Sequence, residues 1–175
     1  MQEKCEMPDL GEMTYFLGLE VNQAHNAIFI NQKGFAIKIL RRYSMENYKP
    51  MSTPIAQDEK RTSSEDVEKL DETSYRCLVG CSLYLTASRP DIMFVVSLLS
   101  RFMHCCNVDH YKVVKRVLRY MRGTLDHGVK FTRTEKVKLL GYSDSDWGGS
   151  SEDMKITLGY FFTLRSNVFY WSSKK

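Results

Sequence analysis

The sequence predicts an α+β chain in which the helices are grouped between two β-rich ends. β-Forming residues separated by turn signals occupy both ends, and apolar residues at helical spacing fill the middle. With 175 residues, of which 43% are hydrophobic, the chain can bury one modest core or two small subdomains. The net charge of +4 is too small to indicate a partner, so basic residues are informative only where they cluster.

The first predicted element is a β-hairpin. Met13–Asn22 and Ala27–Asn31 are rich in β-formers, and the turn-like residues 23–26 separate them. Apolar residues at helical spacing then predict a basic amphipathic helix over 33–44. A polar, mixed-charge stretch with prolines at its start follows over 50–72 and indicates a surface connection.

Three further helices are expected after this connection, at about 74–88, 90–103 and 108–122. Thr73 or Ser74 can cap the first helix. Pro90 suits the first turn of the second, and Gly123 is a natural C′ residue for the third.

The third helix carries cations on one face and apolar residues on the other. We define its basic stripe as Lys112, Lys115, Arg116, Arg119 and Arg122. No acidic residue interrupts the stripe, which is the pattern expected of a surface that contacts nucleic-acid phosphates. A solvated face on a helix packed by its apolar side gives the same pattern, so both interpretations remain open.

The end of the chain is β-rich, and its strands are expected to be antiparallel neighbours at about 129–132, 138–143, 157–164 and 168–172. Asp144 and Asp146 lie two residues apart, so alternation in a strand places both carboxylates on one face. Carboxylates in this arrangement suit divalent-metal phosphodiester chemistry, which requires several of them around two ions. Two carboxylates provide only part of such a site.

Cysteine usage and the N-terminal residues favour an intracellular protein, cytoplasmic or nuclear and not secreted. The five cysteines are an odd number, no signal-peptide pattern opens the chain, and buried or free thiols are expected. The longest apolar run, Ile92–Leu99, is too short to span a bilayer, so no membrane partner is expected.

Five aromatic residues are expected in the core and not as base-stacking platforms: Tyr15, Tyr75, Tyr84, Trp147 and Trp171.

Four blocks in a fixed order identify a family resemblance. They are Asp9–Val21, Tyr75–Ile92, Lys115–Phe131 and Leu139–Gly149, the last followed by GYFF and WSSKK. Together they closely resemble the reverse transcriptase and ribonuclease H region of Pol polyproteins from copia-type LTR retrotransposons. The match extends over nearly the whole chain.

The resemblance implies roles for particular residues. Phe16, Leu17 and Gly18 match the primer-grip hairpin, which binds nucleic acid next to the polymerase palm. Asp144 matches the first metal-binding carboxylate of ribonuclease H, which uses Mg²⁺ in the parent enzyme, and Asp146 is the second candidate ligand. The Tyr-x-Asp-Asp polymerase motif is expected before Met1, and a catalytic Glu and a further Asp are expected beyond Lys175.

The resemblance also implies a division into four parts. Residues 1–50 correspond to the end of the reverse transcriptase, with the hairpin and a thumb helix, and 51–72 to a polar connection. Residues 73–133 correspond to a helical thumb and connection region that holds an RNA–DNA or DNA duplex. Residues 134–175 correspond to the first antiparallel strands of a truncated ribonuclease H-like domain.

Several positions depart from the family pattern. Ile156 and Leu158 replace small hydroxyl residues, and Cys106 lies near an expected proline. Arg165 lies where a turn glycine is expected. These departures concern the C-terminal strands more than the helices.

Three functional hypotheses follow. The first is a fragment of an RNA-directed DNA polymerase and ribonuclease H, inactive alone, with residual template–primer binding. The second is a minimal ribonuclease H-type nuclease built on Asp144 and Asp146, with Glu152 or Asp153 as a further ligand. The third is a secreted RxLR-type effector, suggested by the tetrapeptide 116–119; its position inside a predicted helix and the lack of a signal peptide argue against this.

Overall fold

The computed structural model describes residues 11–56, 72–133, 136–146, 157–165 and 167–174, and these form the predicted α+β fold. A short 3₁₀ turn, Pro90–Ile92, precedes the third helix. In chain order the strands and α-helices are β1 (Tyr15–Phe16), β2 (Leu19–Ala24), β3 (Ala27–Asn31), α1 (Lys33–Arg42), α2 (Glu72–Leu85), α3 (Met93–Ser100), α4 (Val108–Gly123), β4 (Val129–Thr132), β5 (Leu139–Asp146), β6 (Thr157–Leu164) and β7 (Asn167–Lys174).

The first sheet has the antiparallel order β1-β2-β3-β4. Its hairpin turn lies at 25–26, closer to the second strand than the predicted turn at 23–26. The predicted first strand, Met13–Asn22, is wrong as a single element because a tight turn at Leu17–Gly18 divides it into β1 and β2. Both turn residues have positive φ, of 45° and 80°, and glycine adopts such values without cost.

Strand β4 pairs with β3, with Ile30 opposite Val129 and Ile28 opposite Phe131. The expectation that β4 is a neighbour of the later strands is therefore wrong. Helix α4 returns the chain to the edge of the hairpin, where the pairing buries Val129. The four-stranded sheet thus joins the two ends of the helical region.

The helices match their predicted positions with small differences at the ends. Helix α2 begins at Glu72, so Thr73 and Ser74 lie inside its first turn and neither is its N-cap. Gly123 is the last residue of α4, and Thr124 is the C-cap, so the predicted C′ role of Gly123 is wrong. A side chain at Gly123 would lie 3.0 Å from Cβ of Pro50, so close packing explains the glycine better than backbone conformation.

The main core lies between the four helices. Helix α4 contributes a fully buried stripe, including Val117 and Leu118 at 0% exposure, and α2 contributes Tyr75 and Val79. The Tyr75 hydroxyl donates to the carbonyl of Leu99 at 2.9 Å, and burial raises the pKa of this tyrosine. No helix among the described residues is both long and apolar enough to cross a membrane.

A buried polar network joins the start of α3 to the end of α4. Arg89 is 4% exposed and forms a bidentate ion pair with Asp91, with N···O distances of 2.9 and 2.7 Å. The same guanidinium donates to the carbonyl and hydroxyl of Thr124 at 3.0 and 2.7 Å. Tyr120 donates its hydroxyl to Asp91 at 2.8 Å. The charge of Arg89 is thus matched by a carboxylate and two neutral acceptors.

The second sheet has the antiparallel order β5-β6-β7, as the sequence predicts for these three strands. Strand β7 attaches the sheet to the rest of the molecule. Trp171 Nε1 donates to the carbonyl of Thr86 at 2.9 Å, and Ser97 Oγ donates to the carbonyl of Ser173 at 2.7 Å. Strand β5 lies at the far edge of the sheet.

Candidate nucleic-acid interface

The tight turn between β1 and β2, which we call the tip, presents Phe16, Leu17 and Gly18 at the surface. Leu17 is 74% exposed and Phe16 is 53% exposed. The Leu17 carbonyl accepts a hydrogen bond from the hydroxyl of Tyr84 on α2. A Cβ atom at Gly18 would displace the Tyr84 side chain, and the φ of 80° also favours glycine there. The structure therefore holds the tip against α2 with its apolar side chains outward.

Helix α4 holds the basic stripe on the outside of the helical body. The side chain of Asn107 accepts from the backbone N–H of His110 at 2.9 Å, and His110 Nδ1 accepts from the N–H of Asn107 at 3.1 Å. This capping box fixes the start of the helix. The apolar face is buried through Val117 and Leu118, so the opposite, basic face is directed away from the core.

Three arginines of the stripe contact one segment, residues 46–53, which we call the strap. Arg116 donates from Nε and Nη2 to the carbonyl and hydroxyl of Thr53, at 3.2 and 3.0 Å. Arg119 Nε donates to the carbonyl of Lys49 at 2.8 Å, and Arg122 Nε donates to the carbonyl of Glu46. These contacts join α4 to a segment more than sixty positions earlier in sequence.

The two lysines of the stripe interact within α4 itself. Lys112 Nζ lies 2.8 Å from a carboxylate oxygen of Asp109, an exposed i,i+3 pair. Lys115 Nζ lies 5.0 Å from the ring centroid of Tyr111, within the range of a cation–π contact. All five predicted cations thus lie on one helix, with Lys112 and Lys115 exposed and the three arginines half-buried beside the strap.

Helix α1 adds cations that the sequence analysis does not include in this surface. Arg41 Nε lies 2.9 Å from Oε1 of Glu46, the first residue of the strap. Arg42 lies 6.0 Å from the ring centroid of Tyr43. The basic amphipathic pattern of 33–44 is the signal for these residues, but only the structure shows that Arg41 lies near the stripe, because Glu46, its partner, also accepts from Arg122.

The predicted carboxylates lie on β5, at the edge of the second sheet. Asp144 is exposed and pairs with Gly159, and Asp146 pairs with Thr157 through its backbone. Tyr142 stacks on Phe161 of β6, with ring centroids 4.7 Å apart.

The described residues do not assemble a cage for Mg²⁺. No group of three or more His, Cys, Asp or Glu side chains with metal-binding geometry occurs among them. Glu152 and Asp153 lie outside the described residues, as does the side chain of Asp146. One described carboxylate is fewer than a divalent-metal site needs, so we derive no metal-dependent step from this strand.

The prediction of free thiols is confirmed for the described cysteines, whereas the predicted core positions of the aromatic residues are confirmed only in part. The described cysteines are free thiols, namely Cys77, Cys81, Cys105 and Cys106. Burial raises the pKa of the Cys81 and Cys106 thiols, which lowers their reactivity.

Tyr75 lies in the core as predicted, but Tyr15 is 64% exposed and its predicted core position is wrong. Tyr84 is also exposed, at 42%, whereas Trp147 lies outside the described residues.

Curated relatives match over most of the chain. It is 35% identical over all 175 residues to the retrovirus-related Pol polyprotein from transposon RE2 of Arabidopsis thaliana, and spans 12% of that polyprotein. It is 36% identical over 170 residues to an uncharacterized mitochondrial protein of Arabidopsis thaliana, covering 97% of this chain and 70% of that protein. It is also 42% identical over 102 residues to Secreted RxLR effector protein 161 of Plasmopara viticola, covering 58% and 72% of the two chains.

No family model matches the sequence, and no solved structure matches the fold.

Proposed function

Because this chain belongs to the retrovirus-related Pol polyproteins of copia-type LTR retrotransposons, we propose that it joins the end of the reverse transcriptase to the start of the ribonuclease H domain. Its role in this proposal is to hold a template–primer duplex, and chemistry is left to other parts of the polyprotein. The chain spans 12% of the two Arabidopsis polyproteins, so their activities are not assigned to it.

The single observation that carries this proposal is the outward-facing basic stripe of α4. Five cations without an intervening acid lie on a helix whose opposite face is buried. The phosphates of a duplex attract such a surface without regard to base sequence, because binding releases condensed counterions. Arg41 adds a cation beside the strap, where it pairs with Glu46.

The same proposal retains the four-part division at 1–50, 51–72, 73–133 and 134–175. The pairing of β3 with β4 supports treating 1–50 and 73–133 as one duplex-holding body. The exposed tip at 16–18 then supplies the primer-grip contact, and α4 supplies contacts to the phosphate backbone of the duplex. The carboxylate strand in 134–175 supplies Asp144 to a Mg²⁺ site that requires residues from elsewhere.

The likeness to a protein named as an RxLR effector does not change this proposal. The tetrapeptide Arg116–Arg119 lies inside α4, and Leu118 is 0% exposed. Arg116 and Arg119 are both hydrogen-bonded to the strap. A short motif recognised as an exposed, extended peptide is therefore not presented by this fold.

The test is fluorescence anisotropy of a labelled RNA–DNA hybrid titrated with the chain at several salt concentrations. We expect Arg116→Glu with Arg119→Glu to weaken binding and to reduce the slope of log K against log salt; on B-form DNA this reduction is roughly 0.9 for each phosphate that is no longer neutralised. The matched control is Lys138→Glu with Lys174→Glu, which makes the same charge change at two exposed positions, one directly before β5 and one at the end of β7. Equal reductions in both variants, or no reduction in either, would remove the stripe from the proposed surface.

A further inference from the structure

The three arginines of the stripe use the same atom to contact the strap. Nε is the donor at 116, at 119 and at 122, and the acceptors are backbone carbonyls of Thr53, Lys49 and Glu46. The order of the acceptors is reversed relative to the donors, so the strap runs antiparallel to α4. The spacing of three residues places the arginines along one side of the helix.

An Nε contact leaves most of a guanidinium group able to donate elsewhere. Each guanidinium has five N–H donors in a planar fork, and four of them are on the two Nη atoms. Among the described residues, the Nη atoms of Arg119 and Arg122 have no hydrogen-bond partner, and Arg116 uses only Nη2, on Thr53. The forks are therefore fixed at one edge and available at the other.

The strap is itself held on both sides. Met45, which precedes it, is 3% exposed, and Ile55, which follows it, packs against the core. The N–H of Met51 donates to the carbonyl of Arg119 at 3.3 Å. Pro50 fixes its own φ and lies against Gly123. The carbonyl acceptors thus have a defined position before any ligand arrives.

We propose that the strap orients Arg116, Arg119 and Arg122 for duplex phosphates, and that Thr53 is its principal positioning residue. This inference rests on the proposed function. A free arginine side chain loses rotamer freedom when it binds a phosphate, whereas an arginine already fixed through Nε loses less. The strap therefore raises affinity without contacting the duplex itself.

The opposite effect, in which the strap competes with phosphates for the arginines, is the main alternative. Competition would require the strap to take both Nη atoms of an arginine, because Nη1 and Nη2 together can still form a bidentate contact with a phosphate when Nε is occupied. Only Thr53 Oγ1 takes an Nη donor, on Arg116. The geometry points to orientation, and the two effects predict opposite changes in affinity when the strap contact is weakened.

The first experiment replaces Arg116, Arg119 and Arg122 together with lysine and measures binding to the same RNA–DNA hybrid. Lysine keeps the charge but cannot bind the strap and present a planar fork at once. We expect affinity to fall at least about tenfold, because three side chains lose their orientation, while the salt slope stays unchanged. Wild-type affinity in this variant would overturn the inference and leave the proposed function intact. If only the charge-reversal variant loses affinity and the triple lysine variant does not, the inference is likewise overturned and the proposed function is kept.

The second experiment keeps the test decisive if the triple variant does not fold. Thr53→Val removes the hydroxyl acceptor and keeps the side-chain shape, and Ser52→Ala removes an adjacent exposed hydroxyl as the control. We expect Thr53→Val to lower affinity about threefold, the effect of one hydrogen bond, with no change in thermal midpoint or salt slope. Ser52→Ala should bind as wild type. Unchanged or increased affinity in Thr53→Val would overturn the inference, an increase indicating that the strap competes.

Discussion

The helical body and the second sheet differ in what holds them together. Every member of the main core cluster lies in α1–α4, in the 3₁₀ turn or at Met45. In the described part of the second sheet, the buried residues are Thr163 and Asn167, and both are polar. Large side chains of the sheet, including Tyr142 and Phe161, remain 50% and 41% exposed.

The helical body and the second sheet therefore depend on different kinds of contact. The body gains stability from apolar surface removed from water, and this stabilisation scales with the buried area. The sheet depends on its backbone ladders, on cross-strand pairs and on a few hydrogen bonds to the body, such as Asn167 Nδ2 to the carbonyl of Thr132 at 3.2 Å. The sheet is therefore expected to open locally before the body unfolds.

The largest expected effect comes from removing a leucine in the body. Leu118→Ala should lower the free energy of unfolding by about 2 to 5 kcal/mol, because the site is fully buried and leaves a cavity. Leu164→Ala in β6, where the side chain is 37% exposed, should cost less than about 1 kcal/mol. Urea unfolding of both variants measures the difference. Equal destabilisation would show that the sheet is as tightly packed as the body.

The polar network at Asp91 should give the body a specific dependence on acid. Burial raises the pKa of Asp91, but the hydrogen bonds and charge of Arg89 and the hydroxyl of Tyr120 outweigh burial and lower it below its usual value. A lowered pKa contributes stability above the unfolded-state value of about 3.9 and loses it as the pH falls through the folded value.

Asp91→Asn should therefore destabilise the body by about 1 to 3 kcal/mol at pH 7, because Arg89 is left buried without its carboxylate. The difference in free energy of unfolding between variant and wild type should become smaller below about pH 4. Urea midpoints measured from neutral to acidic pH provide the test. Asp126→Asn, which breaks an exposed ion pair with Lys33, is the control and should change nothing measurable. A gap that does not change with pH would contradict the assigned cause.

Removing an aromatic pair should affect only the sheet. Phe161→Ala deletes the ring that stacks on Tyr142 and should cost about 0.5 to 1.5 kcal/mol. Hydrogen exchange should become faster in β5 and β6, while the amides of α4 keep their protection. Phe94→Ala, on α3 and 47% exposed, is the comparison in the body. Faster exchange in α4 after Phe161→Ala would show that the two regions unfold together.

The smallest expected effect is a stabilisation of the sheet. Arg165 has a φ of 59° in the turn between β6 and β7, a conformation that favours glycine. Arg165→Gly should stabilise β5–β7 by about 0.5 to 1 kcal/mol, since the gain from relieved strain exceeds the entropy cost of glycine. Lys138→Gly, at a position without positive φ, should destabilise the sheet. Hydrogen exchange in β6 measures the effect of both variants. Faster exchange in Arg165→Gly would contradict the claim that the backbone is strained at Arg165.

Local patterns predict this molecule well where one helix or strand determines the outcome. The helical spacing of Val117, Leu118 and Met121 identifies the buried face of α4, and the family pattern identifies the glycine-favouring turn at Arg165. The α+β class and the family are confirmed. The duplex-binding and metal-binding roles of the named residues remain predictions.

Contacts between distant segments are less accessible to sequence patterns. Nothing near Val129 indicates that it pairs with Ile30, because either β-rich end could supply the partner. The strap resembles an ordinary polar connection, since its acceptors are backbone carbonyls that every residue has. Gly123 resembles a helix terminator, but it faces Pro50 from a remote part of the chain.

The pairing of β3 with β4 also has a consequence for synthesis of the protein. These strands are separated by about one hundred residues, which a ribosome needs about 5 to 20 s to translate. During that interval the edge of β3 that carries Ile28 and Ile30 has no partner strand, and unpaired strand edges promote aggregation. Slow codons between 33 and 128 would prolong this exposure, so the rate of elongation through the helices determines how long the nascent hairpin is vulnerable.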